Sequence, residues 1–91
     1  MYIYRFKIYG RVQGVYYRKY TSNQLKKEGF RGFIQNMPDG TVEAVVECKD
    51  KESLNKVLSI LKEGSPLSEV TNIVYNSVTD IKIDDDFTIR Y

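Results

Sequence analysis

Residues Tyr2, Tyr4, Phe6 and Ile8 alternate with Ile3, Arg5, Lys7 and Tyr9, the period of a strand with one face buried. From Tyr17 to Glu28 glycine and proline are absent and Gly29 follows Lys26, Lys27 and Glu28, which predicts a first helix with a glycine stop. Phe30, Gly32 and Ile34 then alternate with Arg31, Phe33 and Gln35, and Val42, Ala44 and Val46 with Glu43, Val45 and Glu47. With Met37-Pro38-Asp39-Gly40 between them, the two runs predict a hairpin. Leu54, Val57, Leu58 and Leu61 keep the i, i+3, i+4, i+7 spacing of a buried helix face, behind Asp50 as N-cap and ahead of Gly64 and Pro66 as the stop. Val70 to Val78 predicts a fourth strand, and Phe87, Ile89 and Tyr91 a short terminal one.

The order strand, helix, strand, strand, helix, strand, with a short extra C-terminal strand, is that of an α+β ferredoxin-like α/β sandwich. Its sheet is mainly antiparallel and carries both helices on one face. Strands one and two then run in the same direction, so the end of strand one, the start of the first helix and the end of strand two meet at one edge. Arg18 and Asn36 are expected to converge there, and Asn36 shares the parity of Phe30, Gly32 and Ile34, the helix-covered side.

A chain of 91 residues predicts a single domain over residues 1–91, burying roughly 60 to 65% of its unfolded surface. A net charge of +2 with charges of both signs mixed along the chain is too weak for a nucleic-acid footprint and suits a small anionic substrate. Cys48 is the only cysteine, so no internal disulfide forms, and a reducing cytoplasm is the expected compartment. No run approaches the roughly 20 apolar residues of a membrane span. Histidine is absent, which excludes a Ser-His-Asp triad, a Cys-His pair, a phosphohistidine and nearly all zinc sites.

Two segments carry candidate chemistry. Gly10 to Arg18, GRVQGVYYR, is a glycine-bracketed turn between a strand and a helix. Such a turn collects free N–H donors at the positive end of a helix dipole, and an arginine in the first helical turn adds a bidentate guanidinium for two phosphate oxygens. It also reads as a simple connection in which Gly10 and Gly14 supply positive backbone angles and Arg18 lies in water. The second segment, Gln35 to Gly40, is a polar strand end entering a tight turn.

Together these segments resemble the acylphosphatase family. Its signature reads Gly-Arg-Val-Gln-Gly-Val, two aromatics and Arg, as in Gly10 to Arg18. A second part, Gly-x-x-Gly-aromatic-x-x-Asn followed by Asp-Gly-x-Val-Glu, appears as Gly29, Gly32, Phe33, Asn36, Asp39, Gly40, Val42 and Glu43. The likeness implies that Arg18 binds the phosphate of an acyl phosphate, that Asn36 orients the attacking water, and that the backbone amides of Gln13, Gly14, Val15, Tyr16 and Tyr17 form the phosphate cradle. It implies no cofactor, no metal and no partner beyond the small-molecule substrate, with inorganic phosphate as product and competitive inhibitor and a monomer as the working unit. The chemistry fits a chain without histidine, because the carboxylate of a mixed anhydride leaves without being protonated. Only holding, charge-spreading and placement of a water remain.

Other readings rest on fewer residues. Cys48 lacks the Cys-x5-Arg pattern of a phosphatase cysteine, since Leu54 stands where the arginine belongs, and is expected to be an inert strand residue. Asp84, Asp85 and Asp86 read as a solvated loop and not a metal site. Most of the tyrosines are expected to be core or core-edge packing. Two rival functions are an RNA-binding domain of the same architecture, which would stack bases on Phe33 and Tyr9 of the open sheet face, and a non-catalytic anion-binding module. Glu43 and Glu47 on that face oppose a polyanion.

Overall fold

Strand pairing and helix capping, more than local composition, set where each element stops. The computed structural model describes residues 2–83 and 85–91. It contains β1 (Tyr2–Arg11), α1 (Tyr17–Lys27), β2 (Gly32–Asn36), β3 (Val42–Cys48), α2 (Lys51–Glu63), β4 (Glu69–Val78) and β5 (Phe87–Arg90). The strands form one sheet in the order β4-β1-β3-β2-β5. Neighbours are antiparallel except β2 and β5, which are parallel. This is the expected ferredoxin-like topology.

β1 runs two residues past the predicted alternation because β4 follows it across a bulge, with the register shifting between Tyr9 and Gly10. A Cβ at Gly10 would lie 2.0 Å from the Glu69 carbonyl oxygen, and φ there is 126°, so only glycine lets the strand continue. β2 begins two residues later than predicted. Phe30 belongs to the end of α1: its N–H bonds the Leu25 carbonyl at 3.0 Å and that of Gly29 the Lys26 carbonyl at 3.0 Å, the paired bonds of a Schellman stop. α2 follows its sequence closely, with Asp50 Oδ1 accepting from the Ser53 N–H at 2.8 Å and Leu54, Val57 and Leu61 buried.

Both helices cover one face. Phe6, Ile8, Ile34, Val42, Ala44, Val46 and Phe87 meet Tyr17, Leu25, Leu54, Val57 and Leu61 in the core between them, each large aliphatic contributing about 1.5–3 kcal/mol through burial. The opposite face is closed by charged side chains. Val45 and Phe33 are buried there beneath Arg5 paired with Glu43 at 3.5 Å, Gln35 Nε2 donating to Glu43 at 3.0 Å and Arg31 paired with Glu47 at 3.7 Å. The Arg90 guanidinium carbon lies 3.6 Å from the Phe33 ring centroid and Lys7 Nζ 5.5 Å from that of Tyr9. Both rings that would stack RNA bases are thus already faced by a cation.

The tyrosine expectation needs correction: Tyr17 is buried, but Tyr2, Tyr16, Tyr20, Tyr75 and Tyr91 are exposed. Tyr2, Tyr4, Phe6 and Tyr75 form a row of ring contacts 5.7–6.5 Å apart along the β1–β4 border. Its outer members lie beside an edge strand and face water. Cys48 is buried, and burial first, then Asp50 and Glu47, push its thiol up to about 11. Asp84 lies outside the described residues, while Asp85 and Asp86 pair with Arg31 and Lys26 at 3.5 and 3.2 Å. Among the described residues no helix is long and apolar enough to cross a membrane.

Candidate active site

β1 and β2 both run antiparallel to β3, and β5 runs parallel to β2. The C-terminal ends of three strands therefore share one edge with the start of α1. The loop joining β1 to α1 has left-handed backbone at Gly14 (φ 73°) and at Tyr16 (φ 61°), the N-cap of α1. Val15 between them is not left-handed, and such alternation turns successive N–H groups toward one point. Holding a non-glycine residue at Tyr16 in this region costs roughly 1–2 kcal/mol.

The two helix starts differ. α2 has an Asp50 cap and Glu52 in its first turn, whereas α1 has no side-chain cap and no acid in its first turn. Among the described residues, the N–H groups of Gln13, Gly14, Val15 and Tyr16 have no hydrogen-bond acceptor. The first N–H groups of a helix have no intrahelical acceptor either. This cluster of free donors lies at a positive dipole end and can take an anion.

Long-range bonds fix the loop. Gln13 Nε2 donates to the carbonyls of Met37 at 2.8 Å and Thr41 at 2.9 Å. Ser65 Oγ donates to the Val15 carbonyl at 2.7 Å, and the Tyr17 hydroxyl donates to the Leu61 carbonyl at 2.6 Å. Burial raises the Tyr17 phenol above its ordinary value, so it stays a donor through the physiological range.

Arg18, half-buried in the first turn of α1, donates from Nη1 to the Arg90 carbonyl at 3.3 Å and places its guanidinium carbon 5.0 Å from the Tyr91 ring centroid. A concavity of about 360 Å³ opens here, lined by Val12, Gly14, Tyr16, Tyr17, Arg18, Lys19, Ile89 and Tyr91. The structure thus brings Arg18 together with Gly14, Tyr16 and Tyr17. Gln13 reaches sideways to the turn after β2, and the Val15 carbonyl turns toward the residues after α2. Asn36 does not line the concavity. It ends β2 at the same edge, opposite Val42 of the helix-side core, as its parity predicts. Its Oδ1 is buried, closed to water in this conformation, and has no hydrogen-bond partner, an unusual state for a buried polar atom.

Sequence reasoning did not single out Ser65, the Tyr17 hydroxyl, the Gln13 side-chain amide or the Arg90 carbonyl. Ser65 lies between the Gly64 and Pro66 of the predicted helix stop, and nothing local marks its contact fifty residues away.

The acylphosphatase family model matches residues 4–89. The acylphosphatase of Methanothrix thermoacetophila is 40% identical over 87 residues, 96% of this chain and 94% of that protein. That of Thermococcus kodakarensis is 45% identical over 67 residues, 74% and 72% of the two chains. The crystal structure of acylphosphatase from Bacillus subtilis superposes with a TM-score of 0.89 at 33% identity, covering all of both chains.

Proposed function

This chain belongs to the acylphosphatase family and hydrolyses acyl phosphates to carboxylate and inorganic phosphate, and from that premise we propose how its residues carry the reaction. Arg18 and the N–H groups of Gln13 to Tyr17 hold the phosphoryl oxygens. The Asn36 side chain turns its Oδ1 out of the buried position it holds here toward the shared edge, where it accepts a hydrogen bond from a water and sets it in line with the leaving oxygen. The water oxygen bonds to phosphorus as the P–O bond to the acyl group breaks, and the carboxylate leaves with the electron pair. Asn36 has no basicity to use, so the water's proton passes to a phosphate oxygen.

The observation that carries this reading is the uncapped start of α1 beside Arg18, set against the acid-capped start of α2. Charge developing on the transferred group meets fixed donors that need no rearrangement, the condition for strong electrostatic stabilisation. Because those donors supply the positive charge, the reaction runs without a metal ion. The same reading makes inorganic phosphate a competitive inhibitor. The protein works as a cytoplasmic monomer with one domain over residues 1–91, and takes no nucleic acid partner.

The test couples phosphate release from benzoyl phosphate to a thermal shift with inorganic phosphate. Binding to the native state alone adds RT ln(1 + [L]/Kd), about 1.4 kcal/mol at roughly ten times Kd, and about 4 to 8 °C in Tm per kcal/mol at this size. Chloride at matched ionic strength is the control for screening. A phosphate-specific shift of wild-type size in Arg18→Ala places the anion elsewhere.

A further inference from the structure

Ser65 follows the Gly64 cap of α2 and is buried. Its Oγ donates to the Val15 carbonyl at 2.7 Å, and its own N–H is held by Ser68 Oγ at 2.8 Å, with Ser68 Oγ donating back to the Ser65 carbonyl at 2.8 Å. The hydroxyl is therefore fixed within a turn closed on itself.

No peptide bond among the described residues is cis. In a trans peptide the carbonyl and the following N–H point in opposite directions across one plane. Holding the Val15 carbonyl against Ser65 therefore aims the Tyr16 N–H the other way, away from the residues that follow α2. That N–H has no acceptor among the described residues, and Tyr16 lines the concavity beside Arg18.

The alternative state of this peptide relieves the left-handed backbone at Tyr16. Rotating the Val15–Tyr16 peptide by about half a turn takes the Tyr16 φ from 61° to roughly −120° with ψ left at 18°, out of the left-handed region and onto the sparsely populated bridge side of the map. The flipped peptide would present a carbonyl oxygen where the anion needs a donor. The backbone preference of Tyr16 favours the flip, and the Ser65 hydrogen bond opposes it.

We infer that Ser65 is a positioning residue for the hydrolysis, latching the Val15–Tyr16 peptide so that the Tyr16 N–H faces the phosphoryl group. The inference rests on the reading of Gln13 to Tyr17 as the phosphate cradle. Ser65 itself touches no substrate. Its loss weakens binding of the phosphoryl group in ground and transition state alike, which raises KM more than it lowers kcat.

The test compares wild type, Ser65→Ala, Ser65→Thr and Ser65→Cys, with inorganic phosphate as the probe. In ¹⁵N-labelled wild type, saturating phosphate moves the Tyr16 amide resonance. In Ser65→Ala that movement is lost, phosphate affinity and kcat/KM fall roughly tenfold with most of the change in KM, and Ser65→Thr restores both. Ser65→Cys, with a weak S–H donor of similar size, gives an intermediate loss and serves if the alanine variant does not fold. If phosphate moves none of the amides of residues 13–17 in wild type, the cradle is wrong and the latch falls with it. If it moves the Tyr16 amide equally in wild type and in the alanine or cysteine variant, or if threonine fails to restore affinity, the cradle stands and the latch alone is overturned.

Discussion

The side-chain amide of Gln13 donates to the main-chain carbonyl of Met37 at 2.8 Å, tying the loop before α1 to the residue immediately after Asn36. A second bond from the same nitrogen, to Thr41 at 2.9 Å, closes over both ends of the β2–β3 turn. The group proposed to hold phosphate and the group proposed to place water are thus set relative to each other by one side chain. Gln13→Ala should cost about 0.5–1.5 kcal/mol of stability, the net worth of an ordinary hydrogen bond, because both carbonyls keep a main-chain donor, the Gly40 N–H for Met37 at 3.1 Å and the Met37 N–H for Thr41 at 2.9 Å. It should also lower kcat, because the water then sits on a turn free to shift against the phosphoryl group. Urea unfolding together with steady-state kinetics reads both; loss of stability with kcat unchanged would make Gln13 a purely structural tie.

Arg18→Ala should abolish turnover while leaving far-UV circular dichroism nearly unchanged, since the bond from Nη1 to the Arg90 carbonyl is exposed and long at 3.3 Å. Arg18→Lys should recover little, because an ammonium cannot reproduce the two parallel bonds of a guanidinium fork. Substantial turnover in a folded alanine variant would remove Arg18 from the reaction.

Asn36→Ala should lower kcat by about 10²- to 10³-fold, the usual loss for one positioned transition-state hydrogen bond, and leave phosphate affinity intact. Its folding cost should be small, because the Oδ1 atom it removes has no protein partner. If phosphate affinity falls and kcat at saturation survives, Asn36 binds phosphate and does not orient water.

Exhaustive chelation should leave the rate of benzoyl phosphate hydrolysis unchanged. Arginine and main-chain donors carry the charge that a divalent ion would otherwise supply. Loss of activity with recovery on returning Mg²⁺ would refute the proposed mechanism.

Asp39 links acid stability to the same turn. The Thr41 hydroxyl, then Lys7, then the Thr41 N–H hold its carboxyl far below the usual carboxylate value of 3.8. With the folded-state value depressed, its contribution is present above the unfolded value and is lost as pH falls toward the folded one. Urea midpoints of wild type and Asp39→Asn should therefore differ most near neutrality and draw together between about pH 4 and about pH 2. A gap that stays constant over that range would show that ionisation of Asp39 contributes nothing.

The sequence exposed the local half of this structure. The period of β1, the apolar stripe of α2 with its Asp50 cap, and the parity that puts Asn36 on the helix side with Ile34 all depend on neighbours within a few residues. Boundaries failed where a distant partner or a cap decided them: β4 carries β1 past Tyr9, and the stop of α1 takes Phe30 away from β2. Arg18 could be placed at the helix start, but the Arg90 carbonyl beside it depends on β5 lying parallel to β2. Ser65, whose hydroxyl meets a carbonyl fifty residues earlier, becomes legible only once α2 is packed.

The unequal helix starts have a further consequence for the protein's persistence. If α1 receives its terminal partner only when an anion arrives, the N–H groups from Gln13 into the first turn exchange with solvent between turnovers although the loop itself is held by bonds from Gln13, Ser65 and Tyr17. Product then protects what substrate engaged, because local opening is suppressed in proportion to occupancy. A supply of phosphate would lengthen the protein's survival in a protease digest without altering any residue of its core.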